Sequence, residues 1–185
     1  MLKDVFTSHE DRMKKSVDSL KREYSALRAG RATPALLDRV MIEYYGTPTP
    51  VNQVANVSVP EPRMITIQPW DKGMLKDIEK AIMKSDLGLN PNSDGSVIRL
   101  NLPQLTQERR TELAKTIHKK AEEAKVAVRN IRRDANDAIK KLEKDKLITE
   151  DEQKKAQDDM QKMIDKYVKE IDNVMAAKEK EIMEV

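Results

Sequence analysis

The stretch VRNIRRDAN, residues 128–136, sets Arg129, Arg132 and Arg133 within five positions of a chain whose charges otherwise come in both signs. A guanidinium is planar and permanently charged, and its fork of N–H donors meets a phosphate at two points in a way lysine does not. Three of them, with Lys125 four residues before Arg129 extending the row, have the chemistry to hold an RNA backbone. The competing reading is a solvated helix face, since Asp134 and Asp137 follow and exposed ion pairs contribute at most about 1 kcal/mol each. Spacing alone leaves both open. Arg109 and Arg110, and Arg28 and Arg31, add cations near two other points of the chain, where each by itself is an ordinary surface residue.

Other chemistries find less support. There is no cysteine, and His9 and His118 stand far apart among polar neighbours, so neither a nucleophilic triad nor a zinc site of the usual ligands is expected. The segment SDLGLNPNSDG (85–95) has two glycines seven positions apart and no lysine, which is not a phosphate-cradling loop. Asp86, Asn90, Asn92 and Asp94 could ligate a cation, but their spacing misses the EF-hand pattern, and a turn-rich connection is expected instead. No catalytic residue, metal or cofactor is expected, and the chain is not expected to be an enzyme. Tyr44 and Tyr45 could stack on bases, or alternate inward and outward along a strand.

The elements that carry these residues follow from the helix breakers. All eight prolines fall between Pro34 and Pro103 and all five glycines between Gly30 and Gly95. Since a proline costs about 3 kcal/mol and a glycine about 1 kcal/mol inside a helix, helices should flank a non-helical insert. The first segment, to about Ala29, spaces Phe6, Met13, Val17, Leu20, Tyr24 and Leu27 as a heptad-like seam. A second starts at Thr106, a plausible N-cap, and carries Leu113, Ile117, Ala121, Ala124, Val128, Ile131, Ala135, Ile139 and Leu142 at the same rhythm to about Asp145. Thr149 with Glu152 forms a capping box that opens a third segment, whose stripe is Ala156, Met160, Ile164, Tyr167, Ile171, Val174 and Ile182. Three helices with one narrow stripe each satisfy one another as an antiparallel bundle.

The insert, residues 31–105, has strand-like runs at 39–46, 54–59, 63–70 and 96–102, and a helical pattern through Leu75, Ile78, Ile82 and Met83. The expected fold class is therefore α+β: a bundle of residues 1–30 and 106–185 with an inserted β/α/β domain. Gly30, Arg31, Gln104, Leu105 and Thr106, where the chain enters and leaves the insert, read as a hinge. Charge is uneven, +5 over residues 106–147 and −4 over 148–185 against +3 for the whole chain. That split favours antiparallel pairing of the last two helices and can leave a basic outward face. No apolar run suits a membrane or a secretion signal, so a cytoplasmic protein without membrane association is expected.

EYYGTPTP (43–50), SDLGLNPNSDG (85–95), LTQERR (105–110) and VRNIRRDAN (128–136), in this order, resemble the bacterial ribosome recycling factor family. LRAGRATPALLD (27–38) and KDKLITEDE (144–152) support the resemblance, which runs from about Leu27 to the end of the third helix. It implies an L-shaped molecule, similar in outline to a transfer RNA, with a three-helix bundle and a β/α/β sandwich on two hinge strands. It also implies a monomer that acts with elongation factor G and GTP to split the post-termination ribosome into subunits. In the family the bundle binds large-subunit ribosomal RNA near an intersubunit bridge. Carried over, Arg132 is the leading RNA-binding residue, followed by Arg129 and Arg110, with Arg133, Arg28, Arg31 and Lys125 as further candidates. The alternatives are a non-ribosomal coiled-coil protein with a basic helix that binds RNA or acidic protein, and, more remotely, an enzyme built on the 85–95 loop.

Overall fold

The computed structural model describes residues 1–27 and 30–184. The chain forms two compact units, one of residues 1–28 and 108–184 and one of residues 29–107.

The first unit consists of α1 (Leu2–Ala26), α3 (Gln107–Lys144) and α4 (Glu150–Glu184). The apolar rhythm read from the sequence is the buried face of each, except that Phe6, Leu27, Leu142 and Val174 are only half-buried. From Leu113 to Ile139 every stripe residue of α3 is at most 9 % exposed, as are Met13, Val17, Leu20 and Tyr24 of α1 and Ala156 to Ile171 of the α4 stripe. Cross-helix bonds fix the directions. Arg110, His118, Lys125 and Arg132 of α3 meet Met183, Glu179, Asp172 and Gln161 of α4, a descending series that makes the pair antiparallel. Arg12 and Glu23 of α1 meet Asp134 and Lys120, so α1 also runs against α3.

The reversal between α3 and α4 is built from local hydrogen bonds. Lys146 takes positive φ (58°), and the N–H groups of Lys146 and Leu147 bond back to the carbonyls of Glu143 (2.8 Å) and Leu142 (2.9 Å), the Schellman arrangement that usually has glycine at this position. Thr149 then caps α4: its hydroxyl oxygen accepts the Glu152 N–H at 3.1 Å, and the hydroxyl donates to the Glu152 carboxylate at 3.2 Å.

The second unit holds the hairpin β1 (Met41–Tyr44) and β2 (Thr47–Pro50), then β3 (Ala55–Glu61), β4 (Met64–Pro69), α2 (Leu75–Lys84), β5 (Pro91–Ser93) and β6 (Ile98–Asn101). The larger sheet has the order β3-β4-β6-β5 and is antiparallel throughout. Its alternating residues Ile65, Ile67, Ile98 and Leu100 share one buried core with Ile78 and Ile82 of α2. Two strands differ from the sequence reading. TPTP and PNS look like turn formers, yet β2 and β5 are strands that each pair on one side only, where a proline forfeits no ladder bond. Tyr44 and Tyr45 do not alternate along a strand. Tyr45 (φ 50°) and Gly46 (φ 78°) are the two-residue turn joining Tyr44 to Thr47, and the two rings stand edge to face with centroids 4.5 Å apart.

The segments that enter and leave this unit are fastened to the same tight turn. Ala32 N–H donates to the Pro62 carbonyl and Leu102 N–H to the Arg63 carbonyl, both at 2.7 Å. Nearer the ends of the unit, Gly30 adopts φ +73°, and a Cβ on it would lie 2.7 Å from Leu105 Cγ. Arg31, Gln104 and Thr106 are exposed.

Candidate nucleic-acid interface

The arginines of VRNIRRDAN all lie on one uninterrupted helix of the first unit. At about 100° of rotation per residue, Val128, Ile131 and Ala135 turn to the core, Arg132 stands at the edge toward α4, and Arg129 and Arg133 stand outward. Arg129 and Arg133 are exposed, and neither has a carboxylate within ion-pairing distance among the described residues. Asp134, the obvious local partner, is instead drawn to Arg12 of α1 at 2.9 Å. Lys140, also exposed and on the same outward ridge as Arg133, extends the basic surface and was not singled out from sequence.

Arg132 is held differently. Its Nη1 donates to Gln161 Oε1 of α4 at 2.6 Å, while its Nε is buried without a hydrogen-bond partner among the described residues. Gln161 in turn donates from Nε2 to Asp165 Oδ1 at 2.9 Å.

Lys125 does not extend the outward row. Its side chain is 13 % exposed and its Nζ is bonded to Asp172 of α4 at 2.5 Å, with Glu122 at 3.5 Å. The bond to Asp172 raises the lysine pKa, so the ammonium stays charged and neutralised in place. Rotation explains this turn: Lys125 and Arg132 are seven residues apart and share the edge facing α4.

The remaining candidates are dispersed. Arg110 is half-buried at the start of α3 and its Nη1 donates to the Met183 carbonyl at 3.4 Å. Arg109 pairs with Glu112 at 3.0 Å. Arg31 is exposed in the second unit, and Arg28 lies outside the described residues.

In the 85–95 loop, Asp94 closes the turn before β6. Its Oδ1 accepts the N–H groups of Ser96 (3.0 Å) and Val97 (2.9 Å), and its Oδ2 accepts Arg99 Nη1 at 3.0 Å. Those donors, the Ser96 N–H first, hold the carboxyl well below the usual carboxylate range. Both oxygens thus serve the hairpin, and no group of three or more potential metal ligands occurs among the described residues. No described helix is long and apolar enough to cross a membrane.

Sequence reading missed the α4 side chains that meet α3, namely Gln161, Asp172 and Glu179, and Asp165, which holds Gln161. A signal for them existed. In an antiparallel pair a residue's neighbour lies about as far beyond the connection as the residue lies before it, so ends near 144 and 150 place Arg132 opposite the first third of α4.

Fold and charge together define a helical-bundle protein with exposed arginines on its second bundle helix and a small β/α/β unit inserted between its first two bundle helices. The sequence model of the family described as "Ribosome recycling factor" matches residues 20–183. The ribosome-recycling factors of Desulfitobacterium hafniense and Desulforamulus reducens are 69 % and 64 % identical to the chain over the full length of both partners. A solution structure of the ribosome recycling factor aligns with a TM-score of 0.77 at 48 % identity, covering 100 % of this chain and 98 % of that one. A second structure, described as models for the T. thermophilus ribosome recycling factor and the E. coli elongation factor G bound to the E. coli post-termination complex, aligns with a TM-score of 0.66 at 45 % identity over 98 % of each chain. The chain belongs to the ribosome recycling factor family.

Proposed function

We propose that this protein binds large-subunit ribosomal RNA through the outward arginines of α3 and, with elongation factor G and GTP, splits the post-termination ribosome into subunits. The observation that carries the RNA-binding role is the exposure of Arg129 and Arg133, without ion pairs among the described residues, beside a fixed Arg132 on a helix where Lys120 and Lys125 are neutralised by carboxylates of the neighbouring helices. Family membership, and a relative placed together with elongation factor G on a post-termination complex, support the ribosomal setting.

In this reading the arginines position the bundle by binding phosphate, without reading sequence. Arg110 and Arg31 contribute secondary phosphate bonds, and Arg28, from the matching motif, joins them. The inserted unit receives the motion of the GTPase, and Gly30-Arg31 with Gln104-Leu105-Thr106 act as the hinge. The protein works by binding and transmission, and the bond-breaking chemistry belongs to the partner's GTP.

The test is a light-scattering measurement of subunit splitting. The chain with elongation factor G and GTP should lower the scattering of post-termination complexes, and omission of any one should abolish the drop. Binding to ribosomes no better than to an arbitrary polyanion, with no splitting, would favour a general basic coiled-coil protein instead.

A further inference from the structure

Along α3, charged side chains reach across to the neighbouring helices and meet their opposites. Lys120 meets Glu23, Lys125 meets Asp172, and Asp134 meets Arg12. In each of these pairs one charge cancels the other. Arg132 differs from these three, because its partner Gln161 is a neutral amide.

The amide is itself oriented. An amide can present either its oxygen or its nitrogen, and Asp165, one turn further along α4, accepts from Gln161 Nε2 and so turns Oε1 toward the guanidinium. The arrangement does little for the fold. Arg132 Nε is buried without a partner among the described residues, and so is Asn136 Oδ1 one turn away, which costs stability that an apolar residue would not. A residue kept only to close the bundle would not leave a charge half-buried and uncancelled.

We propose that Gln161, oriented by Asp165, is a positioning residue that fixes the Arg132 guanidinium for phosphate while leaving its full positive charge for the RNA. This rests on the reading of α3 as the RNA-facing helix. A carboxylate at 161 would hold the arginine more tightly but would cancel the charge that the phosphate is to meet. The neutral amide gives direction without neutralisation.

The test uses the full chain, vacant ribosomes as the probe, and the variants Gln161→Glu, Gln161→Met and Arg132→Ala. Gln161→Glu should leave the denaturation midpoint unchanged or raise it, yet weaken ribosome binding about tenfold, as expected when one charge-assisted hydrogen bond to RNA is removed. Gln161→Met, which keeps length and loses the acceptor, should weaken binding about threefold, and neither change should matter in an Arg132→Ala background. A second readout needs no ribosome: NMR of the Arg132 guanidinium should show faster rotation about Nε–Cζ in Gln161→Met. If both Gln161 variants bind like the unaltered chain while Arg132→Ala binds weakly, positioning is overturned and the RNA face stands. If Arg132→Ala also binds normally, the RNA role of Arg132 falls, and the positioning role with it. Unchanged guanidinium rotation in Gln161→Met overturns the positioning role by itself.

Discussion

Replacing Gly30 with alanine tests the join between the two segments that enter and leave the inserted unit. The backbone there has φ +73°, where an L residue costs about 1–2 kcal/mol. The new Cβ would also stand 2.7 Å from Leu105 Cγ, closer than side-chain carbons tolerate, so Leu105 must turn away. Leu105 is only half-buried, and a forced rotamer costs about 0.5–1.5 kcal/mol. The two costs together come to about 1.5–3.5 kcal/mol. Trp70, the single tryptophan, lies in the same unit, so its fluorescence during urea unfolding reports on the right part of the chain. In a Leu105→Ala background the crowding disappears and only the backbone cost remains, which predicts a coupling of about 1 kcal/mol between the two sites. A Gly30→Ala cost below about 0.5 kcal/mol, or the same cost in both backgrounds, would refute the reasoning.

Lys146→Gly should stabilise the bundle by about 1 kcal/mol in urea unfolding followed by circular dichroism, because Lys146 occupies the left-handed position (φ 58°) that ends α3. Tyr24→Phe should cost about 1 kcal/mol at neutral pH, since the buried Tyr24 hydroxyl donates to the Ile117 carbonyl at 2.7 Å. Burial first, then Glu179 and Glu23, pushes the Tyr24 pKa up to about 12 from 10.0. The stability contributed by the neutral phenol is therefore intact below about pH 10 and lost as pH rises through about 12, and a Tyr24→Phe chain should lack that share of the alkaline loss. Asp94→Ala should speed amide exchange at Ser96 and Val97. In the unaltered chain the protection of these amides, taken relative to intrinsic exchange at each pH, should fall only as pH drops below about 4, because Asp94 has a lowered pKa and its bonds are intact throughout the range above that.

Much of the fold was legible because its determinants are local. The rhythm from Leu113 to Ile139 buries as one face, and the confinement of every proline and glycine to 30–103 marks where the helices stop. Thr149 and Glu152 form the expected cap. β2 and β5 were hidden because a proline signals a turn from sequence, whereas strand pairing on one side only tolerates it. Tyr45 was hidden for a related reason: a bulky residue at positive φ is a poor prior for a turn, and here Gly46 beside it carries the hairpin.

The candidate interface divides along the same line. That Arg129 and Arg133 face outward and Arg132 flanks the stripe follows from helical rotation. Which of the flanking cations is neutralised does not, because it depends on what α4 presents across the gap. Asp172 opposite Lys125 and Gln161 opposite Arg132 give two neighbours on one edge opposite fates.

The central claim, that the outward arginines of α3 meet RNA phosphate, is tested most directly by ribosome binding across a salt series with Arg129→Ala/Arg133→Ala. Both side chains are exposed and lack ion pairs among the described residues, so the fold should be unaffected. Binding through phosphate predicts weaker affinity in the double variant, and a slope of log affinity against log salt that is shallower by about 0.7–0.9 for each phosphate the variant no longer neutralises. Unchanged affinity and slope would contradict the account and move the RNA surface off this face of the bundle.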